Sequence, residues 1–121
     1  MARLGLASIT IKRGDIFTVD LGGATGSEID HKIRPALVIQ NDIGNKYSPV
    51  TIVAPITGRQ SKSYPWEIGI TQKESGLALN SSILLNQIRT VDKMRLRNKV
   101  GGLSKAKMLE VDKAIKVSLG L

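Results

Sequence analysis

The chain has 121 residues and no cysteine, so it offers one domain's worth of core and neither a disulfide nor a thiolate metal site. Lysine and arginine outnumber aspartate and glutamate by 18 to 10, and the net charge of +8 favours polyanionic partners wherever the excess is clustered. The single histidine argues against zinc, no apolar run approaches the roughly 18 residues of a membrane span, and the first dozen residues lack a signal-peptide core, so a cytoplasmic protein is expected.

Residues 1–11 show no clear pattern and read as an N-terminal extension. Lys12-Arg13-Gly14-Asp15 is a turn, followed by a first strand, Ile16-Phe17-Thr18-Val19-Asp20-Leu21. Residues 22–33 are polar and carry glycine, which predicts a loop. At about a dozen residues it is long for a strand connection, and such loops are usually functional or disordered. Next come two apolar, β-branched runs, Arg34-Pro35-Ala36-Leu37-Val38-Ile39-Gln40-Asn41 and Val50-Thr51-Ile52-Val53-Ala54-Pro55-Ile56-Thr57. They flank Asp42-Ile43-Gly44-Asn45-Lys46-Tyr47-Ser48-Pro49, read as a loop. The runs are nearly continuous in apolar residues, as in strands buried on both faces. Antiparallel pairing brings Arg34 and Thr57 to the same end of this ribbon.

Residues 58–63 form a basic, polar turn with Arg59 and Lys62. Residues 64–70 read as a strand whose Pro65 marks an edge. Residues 71–81 are a loop with a Ser75-Gly76 turn, and 82–88 a strand that 89–91 continues. Residues 93–98 are basic and open between turn and strand, 99–100 make a last short strand, and Gly101-Gly102 punctuates. Positive residues are dense over 93–116. Ser104 caps a helix whose apolar stripe is Met108, Val111, Ile115 and Leu119, and Gly120 ends it. Phe17, Tyr47, Tyr64 and Trp66 are the only aromatic residues, so the core is built from Val, Ile and Leu. Many short strands and one terminal helix make a mainly β chain, a small barrel or partly open β-structure sealed by the helix.

No familiar catalytic constellation is present: no Ser–His–Asp order, no phosphate-cradling Gly-Lys-Ser/Thr motif, no suggestively paired carboxylates. The available Arg, Thr, Ser, Asn and Gln side chains suit phosphate stabilisation. Arg34 offers a fork of two hydrogen bonds to phosphate oxygens, and Thr57 a further bond. A guanidinium stays protonated at ordinary pH, so a general-base role does not suit Arg34. RNA brings its own nucleophile, the 2′-OH. Asn41 and Gln87 either cap turns or contact RNA. Ser27 and Glu28 either tie the loop or contact RNA. Trp66 either packs or stacks a base. His31 is a solvated loop residue or a proton carrier.

Lys12-Arg13-Gly14-Asp15-Ile16, Gly26-Ser27-Glu28, Arg34-Pro35, Val38-Ile39-Gln40-Asn41-Asp42-Ile43-Gly44-Asn45, Thr57, and Ile83-Leu84-Leu85-Asn86-Gln87-Ile88-Arg89-Thr90-Val91-Asp92-Lys93 together resemble the MazF/PemK family of toxin endoribonucleases. The resemblance runs over residues 12–119 of what it implies is a single toxin domain, 1–121. It implies an SH3-like barrel of the CcdB/PemK type with a C-terminal α-helix. It implies Arg34 and Thr57 as catalytic residues in sequence-specific, metal-independent cleavage of single-stranded RNA or mRNA, leaving a 2′,3′-cyclic phosphate and a 5′-OH. RNA contacts are expected at Ser27, Glu28, Asn41, Arg59 and Gln87, with no cofactor. A homodimer is implied, neutralised by a cognate MazE-like antitoxin. Here Asp30-His31-Lys32 stands where a small or glycine pair is usual in the family. Two readings compete: a non-enzymatic CcdB-like topoisomerase poison, and a plain RNA-binding barrel.

Overall fold

Residues 10–22, 33–58 and 64–121 are described by the structure, a computed structural model. The second β-branched run forms the longest strand, β3 (Val50–Thr57). The sheet assembles around it from β1 (Asp15–Asp20), β2 (Ile33–Val38), β4 (Glu67–Ile70), β5 (Ser81–Leu84), β6 (Arg89–Asp92) and β7 (Leu96–Gly102). Every pairing is antiparallel, in the order β4-β5-β3-β2-β1-β7, with β6 also on β3. β3 is long enough to serve three neighbours. One edge pairs with β2, while the other pairs first with β6 over Val50 to Val53 and then with β5 at Ile56 and Thr57. The 3-10 turn Leu85–Gln87 carries the chain between those two partners.

The ladder does not close into a barrel. β6 and β7 are joined by a 3-10 turn, Lys93–Arg95, and do not pair with each other. That turn redirects the chain away from a ladder with β6 before β7 pairs with β1. β4 is the opposite edge, as Pro65 predicts, although the strand begins only at Glu67 after a turn over Tyr64 to Trp66.

Burial on both faces of the central ribbon divides the apolar residues into two cores. Leu37, Ala54, Ile56, Ile70, Ile83 and Leu85 meet Met108, Val111 and Ala114 of a terminal helix. Phe17, Val19, Leu21, Ala36, Val38, Val53, Val91 and Leu96 line the other face. Alternation along each strand decides which core a residue joins. Each fully buried Val, Leu or Ile contributes roughly 1.5–3 kcal/mol, so the shared strands carry stabilisation from both sides.

Two segments read as loops are short helices. Asp42–Tyr47 is helix α1, with Asn41 as its cap: Asn41 Oδ1 accepts from Gly44 N–H at 2.8 Å. The reason is Asn45, which is buried and fully satisfied. Its amide donates to the Gln40 carbonyl at 2.9 Å, and its Oδ1 accepts from buried Thr51 at 2.7 Å and from Gln40 at 3.1 Å. Buried polar groups must find partners, and only a helical turn brings Asn45 back onto β3. Gln72–Ser75 is helix α2, capped by Thr71.

The third helix, α3 (Lys105–Leu119), starts where Ser104 accepts from Lys107 N–H and stops at Gly120, whose φ of +73° suits a left-handed C-cap. Its buried stripe differs from the expected one. Met108, Val111 and Ala114 are buried and Ile115 partly so, but Leu119 is 52% exposed, because the last turn projects past the core. Gly101 is more than punctuation: β7 runs on to Gly102, and a Cβ at Gly101 would meet the Ser75 carbonyl at 2.1 Å. Among the described residues, no helix is long and apolar enough to cross a membrane.

Candidate active site

β2 and β3 pair with Ala36 opposite Pro55, Leu37 opposite Ala54 and Val38 opposite Val53. Continuing that register by two residues sets Arg34 opposite Thr57. Alternation puts Arg34 on the face of Ala36 and Val38, and Thr57 on the face of Val53, which is the same face. Arg34 is exposed while Ala36, Leu37 and Val38 are wholly buried, so the cation stands at the open end of a rigid apolar ribbon. Thr57 in turn pairs with Ser82 of β5, and Ser82 with Gly69 of β4. Arg34, Thr57, Ser82 and Gly69 therefore form one row across four strands. Among the described residues, nothing lies within 4 Å of the place a Gly69 side chain would take, so the row ends on open backbone there.

Arg34 is held next to the end of β1, through its pairing with Val19. Three more arginines converge there. Arg89 donates to the Leu21 carbonyl at 3.0 Å, and Arg95 to the Asp20 carbonyl at 3.2 Å. Arg97 approaches the Asp20 carboxylate at 3.3 Å, which Arg95 also faces at 3.7 Å. The sequence pointed instead to a basic run over 93–116. The fold breaks that run up: Lys93 donates to the Asn45 carbonyl, Lys99 pairs with Asp15, and Lys107 pairs with Glu74 and Glu110. Arg89 was passed over because it sits in a short segment read only as the continuation of a strand. The signal was its spacing, two residues before Val91, which puts a cation in an inward register.

Of the other expected contacts, Ser27, Glu28 and Arg59 lie outside the described residues, as does His31. Gln87 is exposed at the end of the 3-10 turn, alongside the middle of β3. Asn41 is not brought to Arg34. It lies beyond the opposite end of β2, and its side-chain oxygen is engaged as the α1 cap. Trp66 stacks on Tyr64, with ring centroids 4.8 Å apart and planes 4° from parallel. That ring contact is the packing reading, and it leaves Tyr64 partly exposed.

The far end of the ribbon has its own electrostatics. The Arg13 N–H donates to Asp42 at 2.7 Å and is the main cause that lowers the Asp42 pKa; burial opposes it, and the Asn45 amide at 3.1 Å and the charges of Lys12 and Arg13 add to the lowering. Arg13 also bonds the Ile39 carbonyl and the Asp112 carboxylate, tying α3 to the sheet. This cluster is remote from Arg34 and serves the fold.

Solved structures share this architecture at low sequence identity. An endoribonuclease from a mycobacterial species superposes with a TM-score of 0.76 at 19% identity, over 93% of this chain and 94% of that one. MazF from Deinococcus radiodurans gives 0.76 at 22% identity, over 94% and 100%. MazF in a MazE–MazF crystal from Deinococcus radiodurans gives 0.76 at 22% identity, over 94% and 99%. Identity at that level speaks for the fold alone, but the sequence itself matches a family model over residues 12–119. With nearly the whole chain inside that match, the protein belongs to the PemK-like, MazF-like toxins of type II toxin–antitoxin systems.

Proposed function

We propose that this protein is an endoribonuclease toxin that cleaves single-stranded RNA, mRNA included, in a sequence-specific and metal-independent way, thereby inhibiting translation. The observation that carries the reading is the juxtaposition of Arg34 and Thr57 at the open end of the β2–β3 ribbon. In this reading the 2′-oxygen attacks the adjacent phosphorus. The 2′-O–P bond forms as the P–O5′ bond breaks, a proton leaves the 2′-OH, and one is delivered to the departing 5′-oxygen. The products are a 2′,3′-cyclic phosphate and a 5′-OH. Negative charge builds on the non-bridging oxygens, and the fork of Arg34 meets it with two charge-assisted bonds. Thr57 orients the same phosphate. Gln87, alongside the middle of β3, is read as an RNA contact, as are Ser27, Glu28 and Arg59.

The curled sheet reads as the SH3-like barrel of CcdB and PemK-type toxins, acting as a cytoplasmic homodimer. A MazE-like antitoxin is the partner, in keeping with the MazE–MazF crystals among the similar structures. The test is incubation of a long RNA with the purified protein and a chelator, followed by mapping of the ends. Discrete fragments with cyclic-phosphate and 5′-OH ends are expected. Intact RNA alongside arrested topoisomerase would favour a poison instead.

A further inference from the structure

Arg89 is a second arginine on the inward face of the curled sheet. It stands opposite Val53 of β3, and Val91, two residues on, belongs to the same core as Ala36 and Val38. Alternation therefore aims Arg89 toward the face that Arg34 occupies. β6 and β1 are not paired strands, yet the Arg89 guanidinium crosses to the end of β1 and donates to the Leu21 carbonyl at 3.0 Å. Leu21 is two residues past Val19, the partner of Arg34. The Arg89 guanidinium and the β2 position of Arg34 thus both lie against the end of β1, delivered by different strands.

Charge balance separates these two from their neighbours. Arg95 and Arg97 share the Asp20 carboxylate, and Lys99 has Asp15. Among the described residues, neither Arg34 nor Arg89 faces a carboxylate within ion-pair distance. A carbonyl engages only part of the five-donor fork, and Arg89 is otherwise exposed. A tethered, uncompensated guanidinium is preorganised for a phosphate, because little rotamer freedom remains to be lost.

We propose that Arg89 binds an RNA backbone phosphate adjacent to the one held by Arg34, and so sets how the strand enters the site. The proposal rests on the RNA-cleaving reading above. Arg89 acts on binding and register, not on the bond that breaks.

The test uses full-length protein and an uncleavable RNA carrying a 2′-O-methyl group at the cleavage site. Arg89→Gln keeps an N–H for the Leu21 carbonyl but removes the charge. Its affinity should fall several-fold at low salt, and the slope of log K against log salt should shrink by about 0.7, the loss of one phosphate contact. With cleavable RNA, KM should rise while kcat stays within a few-fold. Replacing one flanking phosphate by a neutral methylphosphonate should weaken the unmutated protein by the same slope and leave Arg89→Gln indifferent. If Arg89→Gln melts below the assay temperature, the methylphosphonate scan on the unmutated protein and on Arg89→Lys decides. No slope change at any flanking position overturns the proposal. An unchanged slope in folded Arg89→Gln does so too, leaving Arg89 as a tie between strands while the RNA-cleaving reading stands. Failure of the unmutated protein to bind RNA removes the reading itself.

Discussion

Two residues beyond the Ala36–Pro55 pair, the continued register sets Arg34 opposite Thr57, on a ribbon whose Ala36, Leu37 and Val38 are wholly buried. Because the backbone there is fixed by two cores, the guanidinium is presented without a flexible support. Arg34→Ala should lower single-turnover cleavage by at least 10²-fold, about 2.7 kcal/mol, by analogy with loss of one oxyanion donor. The melting temperature should barely move, since the residue is exposed. Arg34→Lys should recover only part of the rate, because a point charge lacks the fork. Thr57→Ala should cost less than Arg34→Ala. Cleavage by Arg34→Ala at the unmutated rate would refute the site.

Gly101 separates folding from chemistry. A Cβ there would press into the Ser75 carbonyl at 2.1 Å, and a Cβ on the facing Gly76 would meet the Val100 carbonyl at 2.8 Å. Both contacts are with backbone, so relief requires moving α2 away from β7. Gly101→Ala should destabilise the protein by roughly 3 kcal/mol, the upper range for overpacking. Chemical denaturation should show the midpoint fall, while cleavage per folded molecule stays near normal. An unshifted midpoint would mean that α2 moves freely.

Much of this was legible from residue type alone. β3 matches its expected span, and the Ser104 and Gly120 caps bound α3 as predicted, because β-branched runs and capping residues are local signals. The α1 helix was not legible: Gly44 and Pro49 argue for a loop, and what overrides them is the buried bond from Thr51 of β3 to Asn45. Ala114 was passed over in the α3 stripe because its side chain is small, though it is 1% exposed. The Arg34–Thr57 pairing could be read from the spacing of the two runs. For Arg89 only its spacing before Val91 was readable; its target, the Leu21 carbonyl, is 68 residues away and carries no side-chain signature.

Asp42 links folding to acid. Its folded-state pKa is lowered, chiefly by the Arg13 N–H, so its contribution is present above the ordinary aspartate range and is lost as pH falls through the folded value. Stability should therefore decline on acidification below about pH 4. Asp42→Asn removes that group's share, so its melting temperature should fall less steeply between pH 5 and roughly pH 3 than that of the unmutated protein. The effect should be small, because the carboxylate is largely exposed and screened. Equal slopes for both proteins would show that the Arg13 contact does not persist in solution.

The last prediction concerns the antitoxin. A rim bearing Arg34 and Arg89, neither of which faces a carboxylate among the described residues, attracts an acidic peptide as readily as RNA, because both offer negative charge to the same cations. A disordered acidic tail loses conformational freedom on binding, so it needs apolar anchors as well as charge. The partly exposed Tyr64 ring and the half-buried Leu84 offer apolar surface near the row of Thr57, Ser82 and Gly69. We therefore expect the tail to lie across this row and to exclude RNA by direct competition. Salt should weaken RNA binding with a slope near −0.7 per phosphate neutralised, and should weaken the antitoxin less, since part of its contact is apolar. Labelled, uncleavable RNA titrated with antitoxin peptide should be fully displaced at saturation. The Arg34→Ala protein should lose affinity for both ligands. A stable ternary complex, with RNA held at its original affinity, would show that the antitoxin acts from another surface.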